Sequence, residues 1–210
     1  MAIGTVEFDL SMIDQETGLN MTARAYTVDG IKNADGSLRE LSIGQLVMAI
    51  CLDRASKLEA SIITLMEQMN DTSAQLEAMT KIEETIVNWA SSATGSDYKR
   101  LTGLSFANGQ YAGVNYFAFL TQEQYGVQLG LGAEVYDVRV NDTTLHDSHE
   151  IFYDEFISLL EAKMDEKNSF SQQKMIELQS QTSKRDQAYD MISNILKSLN
   201  TVLVGNANNL

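Results

Sequence analysis

Apolar residues recur every three or four positions over two long stretches of this chain. In the first, Met48, Cys51, Ala55, Leu58, Ile62, Leu65, Met69, Thr72, Leu76, Met79, Glu83 and Ile86 are separated by alternating threes and fours, with only Thr72 and Glu83 polar. A repeat of ~3.5 residues places such a stripe on one seam of a supercoiling helix rather than on a plain surface helix. Ser42-Ile43-Gly44-Gln45 has the spacing of a capping box, and Leu41 and Leu46 are placed as a hydrophobic staple. No breaker follows until Ser91–Asp97, which predicts a helix over residues 42–91 of roughly 70 Å at ~1.5 Å per residue.

The second stretch repeats the rhythm. Leu160, Met164, Asn168, Ser171, Met175, Leu178, Thr182, Arg185, Tyr189, Ile192, Leu196, Leu199 and Leu203 form its seam, polar in the middle and rich in Leu and Ile toward the end. Asp147-Ser148-His149-Glu150 offers a second capping-box spacing, and Gly205 and Asn206 offer a stop. The prediction is a helix over 147–205 with a polar tail at 206–210. On this reading Ile195 and Val202 fall just off the seam and widen the apolar stripe.

Residues 92–146 break the pattern. Gly95, Gly103, Gly109, Gly113, Gly126, Gly130 and Gly132 fall there, among Tyr98, Tyr111, Tyr116, Phe117, Phe119, Tyr125 and Tyr136. Glu134–Val140 reads as a strand with Tyr136, Val138 and Val140 on one face, Asn108–Gln110 as a turn, and Val114–Leu120 as strand or helix. Residues 1–41 form an N-terminal arm, either with short strands at Thr5–Leu10 and Met21–Val28 or ordering only on assembly. The expected fold is mainly α: a long antiparallel coiled-coil hairpin with a small α+β insertion at its tip.

Composition narrows the partners. A formal net charge of −14 leaves no clustered Lys and Arg for nucleic acid or an anionic membrane. No run of eighteen apolar residues is present, so no transmembrane segment is expected. The start lacks the basic, apolar and small-residue regions of a cleaved signal peptide. Proline is absent where average usage gives roughly ten, which suits uninterrupted helices.

Candidate chemistry is thin. His146, His149, Glu150 and Asp154 could share a helix face, but Asp147 and Glu150 already have a capping role and no third ligand is fixed, so no metal is expected. The stretch Glu134–Glu161, with Arg139 as its sole Lys or Arg, reads as a solvated acidic face. Cys51 reads as a buried small hydrophobe and the helical methionines as gap-filling core. Trp89 reads as pinning the end of the first helix to the insertion. No phosphate loop, dinucleotide fingerprint or nucleophile elbow occurs, so neither catalysis nor a cofactor is expected.

The segments Leu41–Ile86 and Lys174–Leu203, with a variable middle and the small polar ending Gly205–Asn209, resemble the hydrophilic translocators of bacterial type III secretion systems. These are the EspA/SseB-type filament proteins and, more distantly, needle-tip proteins of the LcrV/IpaD class. The resemblance implies a structural, self-assembling protein, cytoplasmic before export and then secreted to the bacterial surface without a cleaved signal. It implies homo-oligomers, a secretion chaperone, and needle or translocon partners. The residues carrying self-association or chaperone binding would be Leu58, Ile62, Leu65, Met69, Leu76, Tyr189, Ile192, Ile195, Leu196, Leu199, Val202 and Leu203. Two other readings fit the same pattern: a helical domain sensing a small molecule through its aromatic insertion, and a coiled-coil scaffold or chaperone that is not exported.

Overall fold

A computed structural model describes residues 43–94, 97–131, 135–140 and 148–207. The expected N-terminal arm (1–41), the Ser42 cap, His146 and Asp147 lie outside the described residues. The chain is mainly helical, with long helices α1 (Ile43–Ala90) and α3 (Tyr153–Ala207). Between them in sequence come β1 (Tyr98–Arg100), the short helix α2 (Tyr116–Thr121), β2 (Asp137–Arg139) and β3 (Glu150–Phe152).

The described residues up to Ala60 form one compact unit with those from Thr182 onward, and the described residues between them form a second. In the first unit α1 buries Cys51, Ala55 and Leu58, and α3 buries Ala188 and Ile192. Cys51 Sγ lies 3.3 Å from Met191 Sδ, and the Tyr189 hydroxyl donates to Glu59 Oε1 at 2.8 Å. Positions rising along α1 meet positions falling along α3, so the helices run antiparallel. In the second unit the same sense holds, with Asp71 near Lys167 and the Thr80 hydroxyl 3.9 Å from Met164 Sδ.

The core of the second unit lies where α1 ends and α3 begins. Met79, Ile82 and Ile86 of α1 and Phe156 and Leu160 of α3 are fully buried with Leu101, Phe119, Leu120, Val127 and Val138 of the insertion. Each such side chain contributes about 1.5–3 kcal/mol by leaving water. Phe106 packs on Tyr116 at 4.7 Å and meets Phe119 edge-on at 5.2 Å, while Tyr111 meets Phe119 at 4.8 Å. Such tilted arrangements suit the aromatic quadrupole. Trp89 packs against this cluster from the last turn of α1.

Local chemistry explains the element ends. The Ser91 hydroxyl donates to Asn88 O at 2.8 Å and the Ser92 hydroxyl to Trp89 O at 2.9 Å, satisfying carbonyls that α1 leaves open. The ambiguous run Val114–Leu120 is helical from Tyr116 because Asn115 is an N-cap whose side chain accepts from Ala118 N. The turn at Asn108–Gln110 has Gly109 at φ +86°. β1 and β2 are antiparallel, β2 and β3 parallel, with Asp137 opposite both Arg100 and Glu150.

Three expectations are corrected. The second helix begins at Tyr153, not at 147, because Glu150 is spent in β3 and its carboxylate pairs with Arg139. Asp154 and Glu155 then complement the dipole in the first turn of α3. The helix does not stop at Gly205 and Asn206 but continues to Ala207. The acidic stretch is not a wholly solvated face either: Asp137 and Glu150 are 6% and 8% exposed, against the guanidinium groups of Arg100 and Arg139.

Gly126 ends the short turn Glu123–Tyr125 in the left-handed region, at φ +67°, and a Cβ there would lie 3.1 Å from the buried Gln75 amide nitrogen. Gly126→Ala is expected to lower stability by about 1–2 kcal/mol. Gly103→Ala, where a Cβ would meet nothing within 4 Å, is expected to stay within about 0.5 kcal/mol of the parent. Urea-unfolding midpoints of the two variants check this, and equal midpoints would contradict it.

Candidate functional site

The residues expected to mediate association divide by exposure. Leu58, Ile62 and Leu65 are buried, Met69 and Leu76 half-buried, and Leu76 packs against the core cluster. On α3, Ile192 is 8% exposed, Ile195 and Leu199 are half-buried, and Tyr189 and Leu196 are exposed, Leu196 at 51%. The side chains of Val202 and Leu203 lie outside the described residues.

The inward face of α3 keeps Leu160, Met164, Ser171, Leu178, Arg185, Ile192 and Leu199 of the expected seam, but other expected positions are replaced by their neighbours. Lys167, Lys174, Ala188 and Ile195 take the less exposed positions, and Asn168, Met175, Tyr189 and Leu196 are exposed. Side-chain size and stem burial are consistent with this. Ala188 is small enough to lie against a neighbouring helix, and lysine stems cover apolar surface while their ammonium groups reach water. Lys174 Nζ bonds Glu177 at 3.0 Å and lies 5.4 Å from the centre of the Phe170 ring. Burial pushes Lys167 below its usual pKa, helped by Lys163 and opposed by Glu166 and Asp71. On α1 the polar seam residue Thr72 is buried, its hydroxyl donating to Gln68 O at 2.8 Å. Gln75, Ala78 and Ile82, outside the predicted seam, are buried as well.

What remains outside is a second, outward stripe. With ~100° per residue, Thr182, Asp186, Tyr189, Ser193, Leu196 and Asn200 lie on one line about a quarter-turn from the inward seam. All are exposed except half-buried Thr182. In the same unit Leu52, Ser56 and Glu59 are exposed about a quarter-turn from Cys51, Ala55 and Leu58. The Tyr189–Glu59 hydrogen bond ties these two flanks together on one side of the pair. The second unit leaves Ile63 and Met66 of α1, and Met175 and Ile176 of α3, exposed.

Three other places carry polar or cavity features. On the small sheet, Arg100 Nε donates to Asp137 Oδ1 at 3.1 Å and Arg139 Nε to Glu150 Oε2 at 3.0 Å, the latter pair buried. Tyr136 lies beneath Arg100 at 5.2 Å and Tyr98 beside Arg139 at 5.6 Å. A cleft of about 520 Å³ opens between α1 and the 105–111 loop, lined by Glu77, Lys81, Glu84, Phe106, Tyr111 and Tyr116. Burial raises the pKa of the Cys51 thiol, and the charge of Arg54 opposes this. Among the described residues no cluster of three or more His, Cys, Asp or Glu could hold a metal, and no helix is long and apolar enough to cross a membrane. His149 stacks on Tyr136 at 4.9 Å, and its carbonyl accepts from the Tyr136 and Asp137 amides.

No protein-family model, curated protein or solved structure matches the chain.

Burial raises Tyr111 to about pH 12, helped by the charge of Asp71 and a hydrogen bond to it. An unfolded tyrosine ionises near ~10, so the folded state holds the extra proton between these values. The stability this contributes is complete below ~10 and is lost as pH rises toward 12. The urea midpoint is expected to fall between pH 9 and 11.5, and Tyr111→Phe is expected to flatten that fall; an unchanged slope would contradict it. Separately, Glu150→Ala removes a carboxylate that pairs with the buried Arg139 guanidinium and is expected to destabilise by up to about 3–5 kcal/mol, whereas Arg139→Met with Glu150→Leu recovers part of that loss. Additive costs in denaturant unfolding would contradict the second expectation.

Proposed function

We propose that this chain acts by assembly, its long helices pairing as a coiled-coil hairpin and offering their outward flank to further copies. The supporting observation is the exposure of large apolar side chains on helices that already have a buried seam: Leu52, Tyr189 and Leu196 in one unit, and Ile63, Met66 and Met175 in the other. A helix needing one partner buries one stripe; a helix with two stripes at coiled-coil spacing is suited to two neighbours.

On the strength of its sequence resemblance, the assembly belongs to a type III secretion apparatus, as an extracellular filament or needle-tip subunit. A cytoplasmic chaperone covers the same apolar flank before export, and needle or translocon proteins are its later partners. The absence of a disulfide from a chain with one cysteine fits passage through a narrow channel in an unfolded form. The alternative of a ligand-sensing domain draws on the cleft beside Tyr111 and Tyr116. Phe106 and Tyr116 are nonetheless buried and occupied with neighbouring rings, which leaves little aromatic face for a ligand.

Leu196→Asp is expected to reduce oligomer mass in light scattering while helix content by circular dichroism is retained. Ile192→Asp, at a buried position, is expected to lose helix content as well. An unchanged mass for Leu196→Asp, or a monomeric parent at all concentrations, would refute the assembly reading.

A further inference from the structure

We infer that the outward stripe of α3 docks antiparallel on the same stripe of a second copy, held in register by two ion pairs between Asp190 and Lys197. This rests on the assembly reading above and specifies its partner and geometry. The stripe Asp186, Tyr189, Ser193, Leu196 and Asn200 alternates threes and fours, so it forms a coiled-coil seam of its own. A two-fold axis passing level with Asn194 and Ile195 sets Tyr189 opposite Asn200 of the second copy and Ser193 opposite its Leu196. The same axis brings Asp190 of each copy beside Lys197 of the other, on the edge of the seam. Both side chains are exposed, and neither has an ion-pair partner among the described residues.

Charge selects this arrangement over the alternatives. An in-register parallel pair would stack Asp186 on Asp186 within the seam, in a protein already carrying a net charge of −14. An antiparallel pair shifted by one heptad, with its axis level with Met191, would oppose Asp190 to Asp190. Shifted one heptad the other way, the pair would oppose Lys197 to Lys197. Only the axis near residues 194 and 195 converts these repulsions into attraction. Size agrees with charge, because the small Ser193 leaves room for the Leu196 side chain it faces. Asn200 is a polar seam residue of the kind that fixes register at some cost in affinity.

Sedimentation equilibrium of the full chain at low and high salt tests this, using Asp190→Lys, Lys197→Glu and the double variant. Each single variant is expected to weaken association by about tenfold, because two attractive pairs become repulsive. The double variant restores the pairs with their signs exchanged and is expected to return within about threefold of the parent, and high salt should narrow all these differences. Association that ignores all three substitutions would overturn the inference while leaving assembly itself intact. A parent that stays monomeric throughout would overturn both. Circular dichroism of each variant excludes unfolding as the cause, since both positions are exposed.

Discussion

Met79, Ile82 and Ile86 of α1 share one apolar cluster with Phe156 and Leu160 of α3, and the glycine- and aromatic-rich insertion closes over them with Phe119, Leu120 and Val138. A three-residue strand has too few ladder bonds to stand alone. β2 and β3 persist because Val138 and Ile151 turn one face into this cluster. β3 then runs into α3 without a loop, since Phe152 is followed directly by the helix at Tyr153. Burial at this junction fixes where α3 starts and which of its faces turns inward within that unit.

The opposite face of the sheet shows how the same chain handles charge. Asp137, Arg139 and Glu150 are buried, which would be costly for single ions and is tolerable for hydrogen-bonded pairs. Arg100 and Arg139 reach across to the neighbouring strands and also lie by Tyr136 and Tyr98. The electrostatics of the insertion is therefore settled largely within itself. The outward flanks of the helices, by contrast, mix apolar side chains with charges exposed to solvent.

Long-range periodicity was legible because it follows from 3.6-residue geometry: α1 buries Cys51, Ala55, Leu58, Ile62, Leu65, Met79 and Ile86 as their spacing requires. The phase of α3 was legible only in part: Leu160, Met164, Leu178, Ile192 and Leu199 take the less exposed face as their spacing requires, but Met175, Tyr189 and Leu196 do not. Tyr189 and Leu196 are large side chains with much apolar surface, so a reading by hydrophobicity places them inward, whereas small Ala188 and the stem of Lys174 take the less exposed positions. The start of α3 was misplaced for a related reason. Asp147 and Glu150 have cap spacing, but the pairing of Glu150 with Arg139 depends on strand contacts that no local pattern encodes. The Asn115 cap and the Gly126 turn were readable only as general turn chemistry, because strand and helix compete evenly in a short apolar run. Of the outward stripe, spacing assigns Thr182, Tyr189 and Leu196 to the inward seam, which hides the line they share with Asp186, Ser193 and Asn200.

The central claim is that α3 carries two distinct lines, one turned inward within the chain and one exposed, bearing Tyr189 and Leu196, on which another copy docks. Spin labels on Leu196→Cys, Ile192→Cys and Met191→Cys in a Cys51→Ala background read these lines directly. In dilute protein the label at 192 should be immobile and those at 191 and 196 mobile. With rising concentration the label at 196 should become immobilised and dipolar-broadened while that at 191 stays mobile. A label at 196 that is immobile when dilute, or that remains mobile while the protein associates, would contradict the account.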